Sequence, residues 1–387
     1  MTDGSPSWRV ARREFALWRA DRVTFWLISG LPLLACVLLL AIFQRRTAHD
    51  LPVAVIDRDH SEISRELVGQ LDAAAGLRVM LHPDSLDEAQ SAVERGHVYA
   101  VIEIPRGFER DVFRGRRPQV GLLLNQQSLS AANTIARDVQ EVVLTAAGRQ
   151  SAVLRMAGGL PMRAAAAAAQ PLRVETRPLF NPGIDYGAYL GIALLVGTLH
   201  CFVFLHGART VAAERGDGRR AWSQAARGRP WTALLGKLVP AWLWWFVFGL
   251  GILYGAYSWL GLPWMSAPWL LIAGWGVLVA GYLAFGALLS SLLQAHLAYS
   301  GVSVLSAPAL AFSGVTFPLA AMPLLPRLYG ECLPLTWFLR LQTQLVTERI
   351  DARFAWPTFA YLLVLAIVLV LAAAFSHALA WRKRASA

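Results

Sequence analysis

Residues 209–237 have the sequence RTVAAERGDGRRAWSQAARGRPWTALLGK, which separates two long apolar runs. A membrane span needs about 20 mostly apolar residues at a rise of roughly 1.5 Å each, and both flanking runs are long enough. The stretch itself carries six arginines against two acids, Glu214 and Asp217. Since cytoplasmic loops of membrane proteins are enriched in Lys and Arg, we expect it to be a cytoplasmic connection between two membrane helices.

The composition of the whole chain is typical of a membrane protein. Of its 387 residues, 56% are hydrophobic and 16% are charged, whereas a soluble domain has about 25% charged residues. Six segments are apolar and long enough to span a bilayer. They are residues 25–43, 186–206, 232–260, 269–293, 297–318 and 357–380. The predicted fold is therefore a polytopic α-helical membrane protein with six transmembrane helices.

The net charge of +11 is concentrated in a few segments. Residues 1–24, 209–237 and 382–384 together contribute +10, whereas residues 44–184 hold 17 arginines against 16 acids. The positive-inside rule therefore predicts that both termini and the 207–231 connection lie in the cytoplasm. We interpret the basic balance as a signal of orientation and not of nucleic-acid binding.

The N-terminal residues 1–24 are predicted to form a cytoplasmic amphipathic helix. Apolar residues recur every three or four positions, and arginines that include Arg12 and Arg13 lie between them. The apolar positions are Trp8, Ala11, Phe15 and Trp18. Such a helix suits the inner membrane interface and can contact a cytoplasmic partner. The alternative is an ordinary anchor whose arginines only set the topology.

Residues 44–184 are predicted to form an extracytoplasmic α/β domain, inserted between the first and second transmembrane helices. Short apolar runs alternate with helical patterns, which favours an α/β domain with a mixed or parallel sheet. The predicted strands are 51–59, 77–82, 98–105 and 120–125, and the predicted helices are 61–74, 85–96 and 130–156. Ser61 is a predicted N-cap, and Ser85 with Glu88 is a predicted capping box. Residues 164–169 and 172–176 predict one more helical segment and one more strand.

Residues 185–387 are predicted to form a five-helix membrane domain. On its outer side, residues 319–356 contain several prolines and an apolar stretch, PLTWFLRLQTQLV, that is too short and too charged to span. We interpret this segment as a re-entrant or interfacial helical element, because irregular backbone at membrane depth must be shielded by protein.

Glycines and a histidine inside the predicted spans are interpreted as packing residues. Gly251 and Gly255, four residues apart, predict a close approach of two helices. Gly281 and Gly286 give a weaker signal of the same kind. His200 lies deep in its span, and a lone histidine there is more often a packing residue than a ligand.

The sequence contains none of the motifs that would supply an enzyme with its chemistry. It has no Walker A pattern, since Gly236-Lys237 lacks both the upstream glycine and the following Ser or Thr, and it has no nucleophile elbow. The predicted spans carry no Asp or Glu in their interiors, which disfavours a proton-coupled or ion-coupled carrier. We therefore expect no catalytic residue, metal or cofactor in this chain, and the energy for any transport must come from elsewhere.

Several stretches resemble, in the right order, the type-2 ABC exporter permeases, in particular the drug-exporter-like branch with a large extracytoplasmic domain. VAVIDRDHSEISREL (53–67) and AVIEIPRGFERDVFRGRRPQVGLLLN (100–125) are similar to parts of that domain. PLFNP (178–182) resembles the family's entry into the second span. AFSGVTFPLAAMP (311–323) and LPLTWFLRLQ (333–342) resemble its most specific pair of motifs.

The resemblance implies two sets of functional residues. The set expected to couple to an ATPase on the cytoplasmic side is Arg12, Arg13, Glu214, Arg215, Gly218 and Lys237. The set expected in an outer gate or re-entrant segment is Ser313, Gly314, Phe317, Pro318, Met322, Pro323, Pro334 and Thr336. The chain departs from the family pattern at Arg219, where threonine is usual, and at Ala221-Trp222, where Leu-Glu is expected.

The function implied by the resemblance is that of a permease subunit of an ATP-binding-cassette exporter in the bacterial inner membrane, active in multidrug efflux. It would move an apolar or amphiphilic substrate, drug-like or lipid-like, out of the cytoplasm or inner leaflet. ATP and Mg would be bound by a separate cytoplasmic ATPase. A second permease copy or a paralogue would complete a dimer, and a periplasmic membrane-fusion adaptor is a further partner that the resemblance allows. The alternative is a non-transporting membrane receptor or assembly platform that uses the 44–184 domain.

Overall fold

The computed structural model describes residues 5–43, 49–114, 116, 118–126, 129–157, 185–214, 218–262 and 265–383. The chain divides into two compact units. A membrane unit comprises residues 1–46 and 178–387, and an α/β unit comprises residues 47–177.

The elements follow one another along the chain in three blocks. The first part of the membrane unit contains α1 (Pro6–Ala20) and α2 (Arg22–Ile42). The α/β unit contains β1 (Leu51–Asp57), α3 (Glu62–Asp72), β2 (Leu77–Leu81), α4 (Leu86–Glu94), β3 (Ala100–Ile104), α5 (Phe108–Phe113), β4 (Gly121–Leu124) and α6 (Leu129–Ala157). The membrane unit continues with α7 (Gly187–Ala212), α8 (Gly218–Ala225), α9 (Pro230–Trp259), α10 (Pro268–Leu292), α11 (Ala295–Ser306), α12 (Leu324–Glu331), α13 (Pro334–Gln342) and α14 (Ala352–Lys383).

Within the described ranges, five helices are long and apolar enough to cross a bilayer, namely α2, α7, α9, α10 and α14. The most buried of them are α10 and α7. In the most apolar 18-residue stretch of each helix, 72% of the residues of α10 and 56% of those of α7 are buried, against 17% for α2. Trp275 and Tyr282 of α10 are among the largest fully buried side chains. The core of the membrane unit therefore lies around α7 and α10, and α14 also packs against α10.

The helices α7 and α10 approach each other backbone to backbone. A Cβ atom at Gly207 would lie 2.7 Å from the Cα of Leu283, and one at Gly286 would lie 2.8 Å from the carbonyl carbon of Gly207. The close approach predicted at Gly286 is therefore confirmed. The pair with the stronger sequence signal, Gly251 and Gly255, behaves differently. No heavy atom of a described residue lies within 4 Å of a Cβ placed at Gly251 or Gly255. Among the residues that the structure describes, the prediction of a close helix approach at Gly251 and Gly255 was therefore wrong.

The predicted span 297–318 is not one continuous helix. α11 covers only 12 residues, about 18 Å at roughly 1.5 Å per residue, which falls short of the ~30 Å hydrocarbon core. Turns follow as far as Phe317. Pro308 explains the break, because its nitrogen has no hydrogen to donate to the preceding turn, and Gly314 adopts a left-handed backbone with a φ of 88°. The predicted count of six membrane helices is therefore not confirmed.

The segment predicted as a re-entrant or interfacial element is helical. It contains a 3-10 turn at Leu319–Ala321, α12, α13 and a π-type turn at Thr343–Thr347. α13 packs against α10 and α14, with Phe338 and Leu341 fully buried. Its depth relative to a membrane stays a prediction.

The α/β unit has a four-stranded sheet in its described part, with the strand order β2-β1-β3-β4. β1 pairs in parallel with β2 and β3, and β4 runs antiparallel to β3. Since successive strand residues point to opposite faces, Val53 and Val55 pack with α3 and α6, whereas Ala54 and Ile56 pack with α4. The predicted α/β fold with a mixed sheet is confirmed for these residues.

Helix caps in this unit follow the predicted pattern with one difference. Ser61 and Ser64 form a reciprocal capping box at the start of α3. At the start of α4, Ser85 Oγ accepts from the backbone N–H of Glu88 at 3.2 Å, but the Glu88 carboxylate accepts from the N–H of Asp84 rather than of Ser85. The predicted N-cap at Ser85 is confirmed and its capping box is only half formed. The predicted segments 164–169 and 172–176 lie outside the described residues.

Candidate functional site

α1 packs along α9 through a face that the sequence pattern only partly identified. Its buried residues are Val10, Glu14 and Trp18, spaced by four. The two helices meet closely at Gly236, where a Cβ would lie 2.5 Å from the Cβ of Val10. Of the predicted apolar positions, Trp8 and Phe15 are instead 63% and 51% exposed. α1 therefore presents one face to α9 and a second, aromatic face outward.

Four charged side chains meet where α1, the end of α7 and the start of α9 come together. They are Arg13, Glu14, Glu214 and Lys237, and we call them the buried charge cluster. Lys237 donates to the Glu14 carboxylate, and its Nζ lies 2.8 Å from Glu214 Oε1. Arg13 donates to Glu214 through both terminal nitrogens, one of them at 3.0 Å from Oε2. The side chains of Lys237 and Glu214 are each only 1% exposed.

Further groups complete the surroundings of the cluster. Trp18 Nε1 donates to Glu14 Oε1 at 3.1 Å, and the Lys237 ammonium lies 5.4 Å from the centre of the Trp222 ring, a cation–π geometry. A buried charge is costly unless it is paired and hydrogen-bonded. The two acids and two bases of the cluster satisfy one another, so the cluster can join three segments that are distant in sequence.

A second ion pair ties α7 to the start of α2. Arg209 Nη2 lies 2.7 Å from Asp21 Oδ2, and Arg209 Nε donates to Thr24 Oγ1 at 3.0 Å. Asp21 also accepts from the backbone N–H of Val23 at 3.0 Å. The hydrogen bond from Thr24, assisted by that from Arg209 and opposed by burial, holds the pKa of Asp21 below its ordinary range.

α8 is anchored by Trp222. Its Nε1 donates to the carbonyl of Ala233 on α9 at 3.2 Å, and its ring lies 5.2 Å from His377 and 5.1 Å from Trp381 on α14. The departure from the family pattern at this position therefore replaces an expected acid with a buried aromatic anchor. The opposite side of α8 is exposed at Arg220.

The pKa of Glu214 gives the cluster a predictable response to acid. Burial raises this pKa, but the hydrogen bonds from Arg13 and the charge of Lys237 outweigh burial and hold it below its ordinary value of 4.5. The unfolded chain therefore binds a proton more readily than the folded protein. Glu214 contributes stability that is complete above pH 4.5 and is lost as the pH falls through the lower folded value.

Thermal unfolding in detergent, followed from about pH 7 to about pH 3, is expected to show a falling midpoint below the ordinary carboxylate range. Glu214→Gln should be less stable at neutral pH and should show a weaker dependence on acid. Glu331→Gln is the matched control, because Glu331 forms a partly exposed pair with Arg327, and such pairs contribute little. A pH dependence in Glu214→Gln equal to that of the unmodified protein would contradict this assignment.

Three residues predicted to couple to an ATPase, Arg13, Glu214 and Lys237, are members of the cluster. Gly218 borders it, since a Cβ there would lie 2.9 Å from Glu214 Oε2. Arg12 is exposed on α1 and lies outside the cluster. Arg215 lies outside the described residues.

Sequence reasoning missed the residues that complete this site. They are Glu14, Trp18, Asp21, Thr24 and Arg209. Lys237 could have indicated one of them. It follows an apolar run, and a buried lysine needs a carboxylate partner. The spacing of Val10, Glu14 and Trp18 by four would then have placed that carboxylate on a packing face of α1.

Four of the eight residues predicted for an outer gate form two groups in the structure, and the other four lie in the segment between them. Ser313 and Gly314 form a turn after α11, in which Ser313 Oγ donates to the carbonyl of Leu310 at 2.6 Å. A Cβ at Gly314 would lie 3.1 Å from Leu319 Cγ. The hydroxyl of Tyr189 donates to the carbonyl of Val315, which ties this turn to α7.

The second group lies at the start of α13. Pro334 and Thr336 are buried, and a Cβ at Gly281 of α10 would lie 3.6 Å from Pro334 Cγ. The remaining four predicted residues lie in the segment between the first group and α12. They are the exposed Phe317, Pro318 and Pro323, and the half-buried Met322.

The charges of the buried charge cluster neutralise one another. Its carboxylates and bases are paired with one another, so the cluster is suited to holding helices together. In the part of the chain that the structure describes, no group of three or more His, Cys, Asp or Glu side chains could hold a metal ion.

Comparison with known proteins agrees with the predicted family. A family model described as ABC-2 family transporter protein matches residues 22–375. Two relatives carry the name inner membrane transport permease YhhJ, one from Escherichia coli (strain K12) and one from Shigella flexneri. Each is 22% identical over 320 residues, which cover 81% of this chain and 81% of the relative.

Proposed function

The chain belongs to the ABC-2 transporter family, and from this premise we propose that it is the permease subunit of an exporter for an apolar or amphiphilic substrate. Membership makes it a membrane transport permease and implies an ATPase subunit as its partner. The proposal adds the direction, out of the cytoplasm or inner leaflet, and the substrate class, drug-like or lipid-like. ATP and Mg are bound in the partner chain, and this chain contributes no catalytic residue.

The observation that carries the proposal is the buried charge cluster. Glu214 lies just after α7 and binds Arg13 of α1 and Lys237 of α9. α8 contacts the cluster through Trp222, whose ring centre lies 5.4 Å from Lys237 Nζ, and through Gly218, which lies against Glu214. We expect a force applied to α8 to reach α1, α7 and α9 through these contacts, and α7 lies in the core of the membrane unit. Nucleotide-dependent movement of an ATPase bound at α8 would be transmitted to the core through this cluster.

The proposed arrangement places the chain in the bacterial inner membrane with both termini and the 207–231 connection in the cytoplasm. The positive charge of those segments supports this orientation. Because both termini then lie on the same side, the chain must cross the membrane an even number of times. In this proposal α11 and the turns that follow it to Phe317 form the sixth crossing. A second copy or a paralogue completes the dimer, and a periplasmic adaptor would act on the α/β unit.

The surface proposed to meet the ATPase is the exposed side of α8 together with Arg12 of the neighbouring α1. Arg220 lies on that side of α8 and is exposed. Glu214 itself is only 3% exposed, so it joins α1 to α9 and does not meet the partner directly. Reversal of Glu214 would therefore test packing, whereas reversal of Arg220 tests docking.

The test is co-purification from native membranes with a protein that carries a Walker A motif and hydrolyses ATP. Arg220→Glu is expected to reduce recovery of that ATPase by roughly 3–10-fold, as expected for a charge at the rim of an interface. Arg353→Glu is the matched control, because Arg353 is a basic residue with an 84% exposed side chain outside the proposed cytoplasmic face. The control should leave recovery unchanged.

The alternative, a receptor or assembly platform, predicts a different result. No ATPase would accompany the purified protein, and deletion of the ATPase gene would leave its function intact. Equal recovery with Arg220→Glu and Arg353→Glu would overturn the docking surface but not the family.

A further inference from the structure

A crevice of about 610 Å³ opens at one edge of the sheet in the α/β unit. β1 and β2 are parallel neighbours, so the loops that follow them leave the sheet at the same edge. The loop after β1 leads to α3 on one face, and the loop after β2 leads to α4 on the other. In open α/β sheets, ligands bind in the crevice that forms where neighbouring loops diverge in this way.

The lining of this crevice is rich in basic groups. Arg58 and His60 come from the loop after β1, Arg65 from α3, His82 from the loop after β2, and Arg106 from the loop after β3. Basic side chains from three loops and one helix thus converge on one small cavity. Its volume lies in the range of small-molecule sites, roughly 300–1,000 Å³.

The acids that line the crevice do not neutralise all of these groups. The Asp57 carboxylate is occupied by its own loop, since it accepts from the backbone N–H groups of Asp59 and His60 and from Ser64 Oγ at 3.0, 3.1 and 2.7 Å. Asp84 is the other lining acid and lies after β2.

Two of the arginines have donors to spare. Arg65 donates one Nη1 hydrogen bond to the carbonyl of His60 at 2.8 Å, and a guanidinium has five N–H donors. The exposed side chain of Arg106 makes no hydrogen bond or ion pair with any residue that the structure describes. Arg58, in contrast, pairs with Glu103 at 2.9 Å. Arg65 and Arg106 are therefore the groups placed to receive an anion.

The loop that presents these groups is held in an unusual conformation. His60 has a φ of 51°, a left-handed backbone that few residues other than glycine adopt. Its N–H is held by Asp57 and its carbonyl by Arg65. Strained backbone of this kind persists where surrounding contacts enforce it and is concentrated at functional sites.

We propose that this crevice binds a phosphate group, carried by a soluble phosphate ester or by a phospholipid headgroup. The planar forks of Arg65 and Arg106 match the oxygens of a phosphate, and the imidazoles of His60 and His82 supply further donors. The proposal concerns the α/β unit alone and does not rest on the transport function.

The test titrates the full-length protein, in phosphate-free detergent buffer, with glycerol 3-phosphate and with dihexanoyl phosphatidic acid, and measures binding by calorimetry. Arg65→Gln and Arg106→Gln are each expected to weaken binding about tenfold or more, because charge-assisted hydrogen bonds to phosphate are lost. Equal affinity for the two probes would identify the ligand as a soluble phosphate ester. Tighter binding of dihexanoyl phosphatidic acid would identify it as a lipid headgroup. Both results support the site.

Arg78→Gln is the matched control, because Arg78 is exposed on β2 of the same sheet and does not line the crevice. It should bind both probes like the unmodified protein, and all variants should unfold at the same temperature. If neither probe bound at concentrations up to about 10 mM, which corresponds to a very weak affinity, the proposed site would be overturned. An equal loss of affinity in Arg78→Gln would overturn it as well, since the effect would then be one of general charge.

Discussion

Replacing Lys237 with methionine is expected to destabilise the folded membrane unit by about 3–5 kcal/mol, the cost of breaking a buried ion pair by removing one partner. Lys237 is the base shared by Glu14 and Glu214. Among the described residues, Glu14 then keeps only the hydrogen bond from Trp18, and Glu214 keeps only those from Arg13. The buried carboxylates would either take up a proton or drive α1 away from α9.

The release of α1 can be measured at Val10, which is fully buried. In a Cys332→Ser background, which removes the exposed native thiol, Val10→Cys should react slowly with a thiol reagent. Addition of Lys237→Met should accelerate that reaction and lower the unfolding midpoint. The double variant Lys237→Met with Glu14→Leu should recover most of the loss, because it removes both charges of one pair. Full stability of Lys237→Met alone would show that the cluster does not hold α1.

Replacing Gly286 with alanine is expected to separate α7 from α10 and to cost about 1–3 kcal/mol or more, the range found for overpacked sites. The added Cβ would meet backbone atoms of Phe204 and Ala208 on α7. Backbone atoms of a packed helix cannot move aside as a flexible side chain can, so the two helices must shift. Gly207→Ala should have a similar effect, since its Cβ would meet the backbone of Leu283.

The measurement is the unfolding midpoint in detergent together with transport in membranes. Gly251→Ala is the matched control, because it adds the same methyl group to a membrane helix at a position with open space around it among the described residues. The control should unfold like the unmodified protein. If Gly286→Ala and Gly251→Ala unfolded at the same temperature, the close crossing of α7 and α10 would be refuted.

The parts of the fold that depend on local pattern were predictable. β1, β2, β3 and β4 coincide with apolar runs in the sequence, and Ser61 and Ser85 cap the helices that they were predicted to begin. Apolar runs of sufficient length located the five described helices that are long and apolar enough to cross a bilayer. These features are determined by residues within one turn or one strand of each other, so a single sequence contains the necessary information.

The parts that depend on partners distant in sequence were not predictable in the same way. Gly251 and Gly255 have the spacing of a packing motif, but a Cβ at either position would meet no atom of the described residues within 4 Å. Gly207, which belongs to no motif, lies against α10. Which glycine is needed depends on where two helices cross, and that is set by all the side chains between them. The predicted span 297–318 is long enough to cross a bilayer but is rich in Ser, Gly and Pro. Pro308 and Gly314 divide it into a helix and turns.

Residues 209–237 show most clearly which features follow from the sequence and which only from the tertiary structure. Their charge and the apolar runs beside them establish from sequence alone a basic connection between two membrane helices, because orientation responds to the simple number of arginines and lysines. Only the tertiary structure shows that Glu214 and Lys237 are buried together and share their charges with Arg13 and Glu14 of α1. More than 200 residues separate those partners along the chain, and a buried charge is stable only where folding brings its counter-charge within hydrogen-bonding distance.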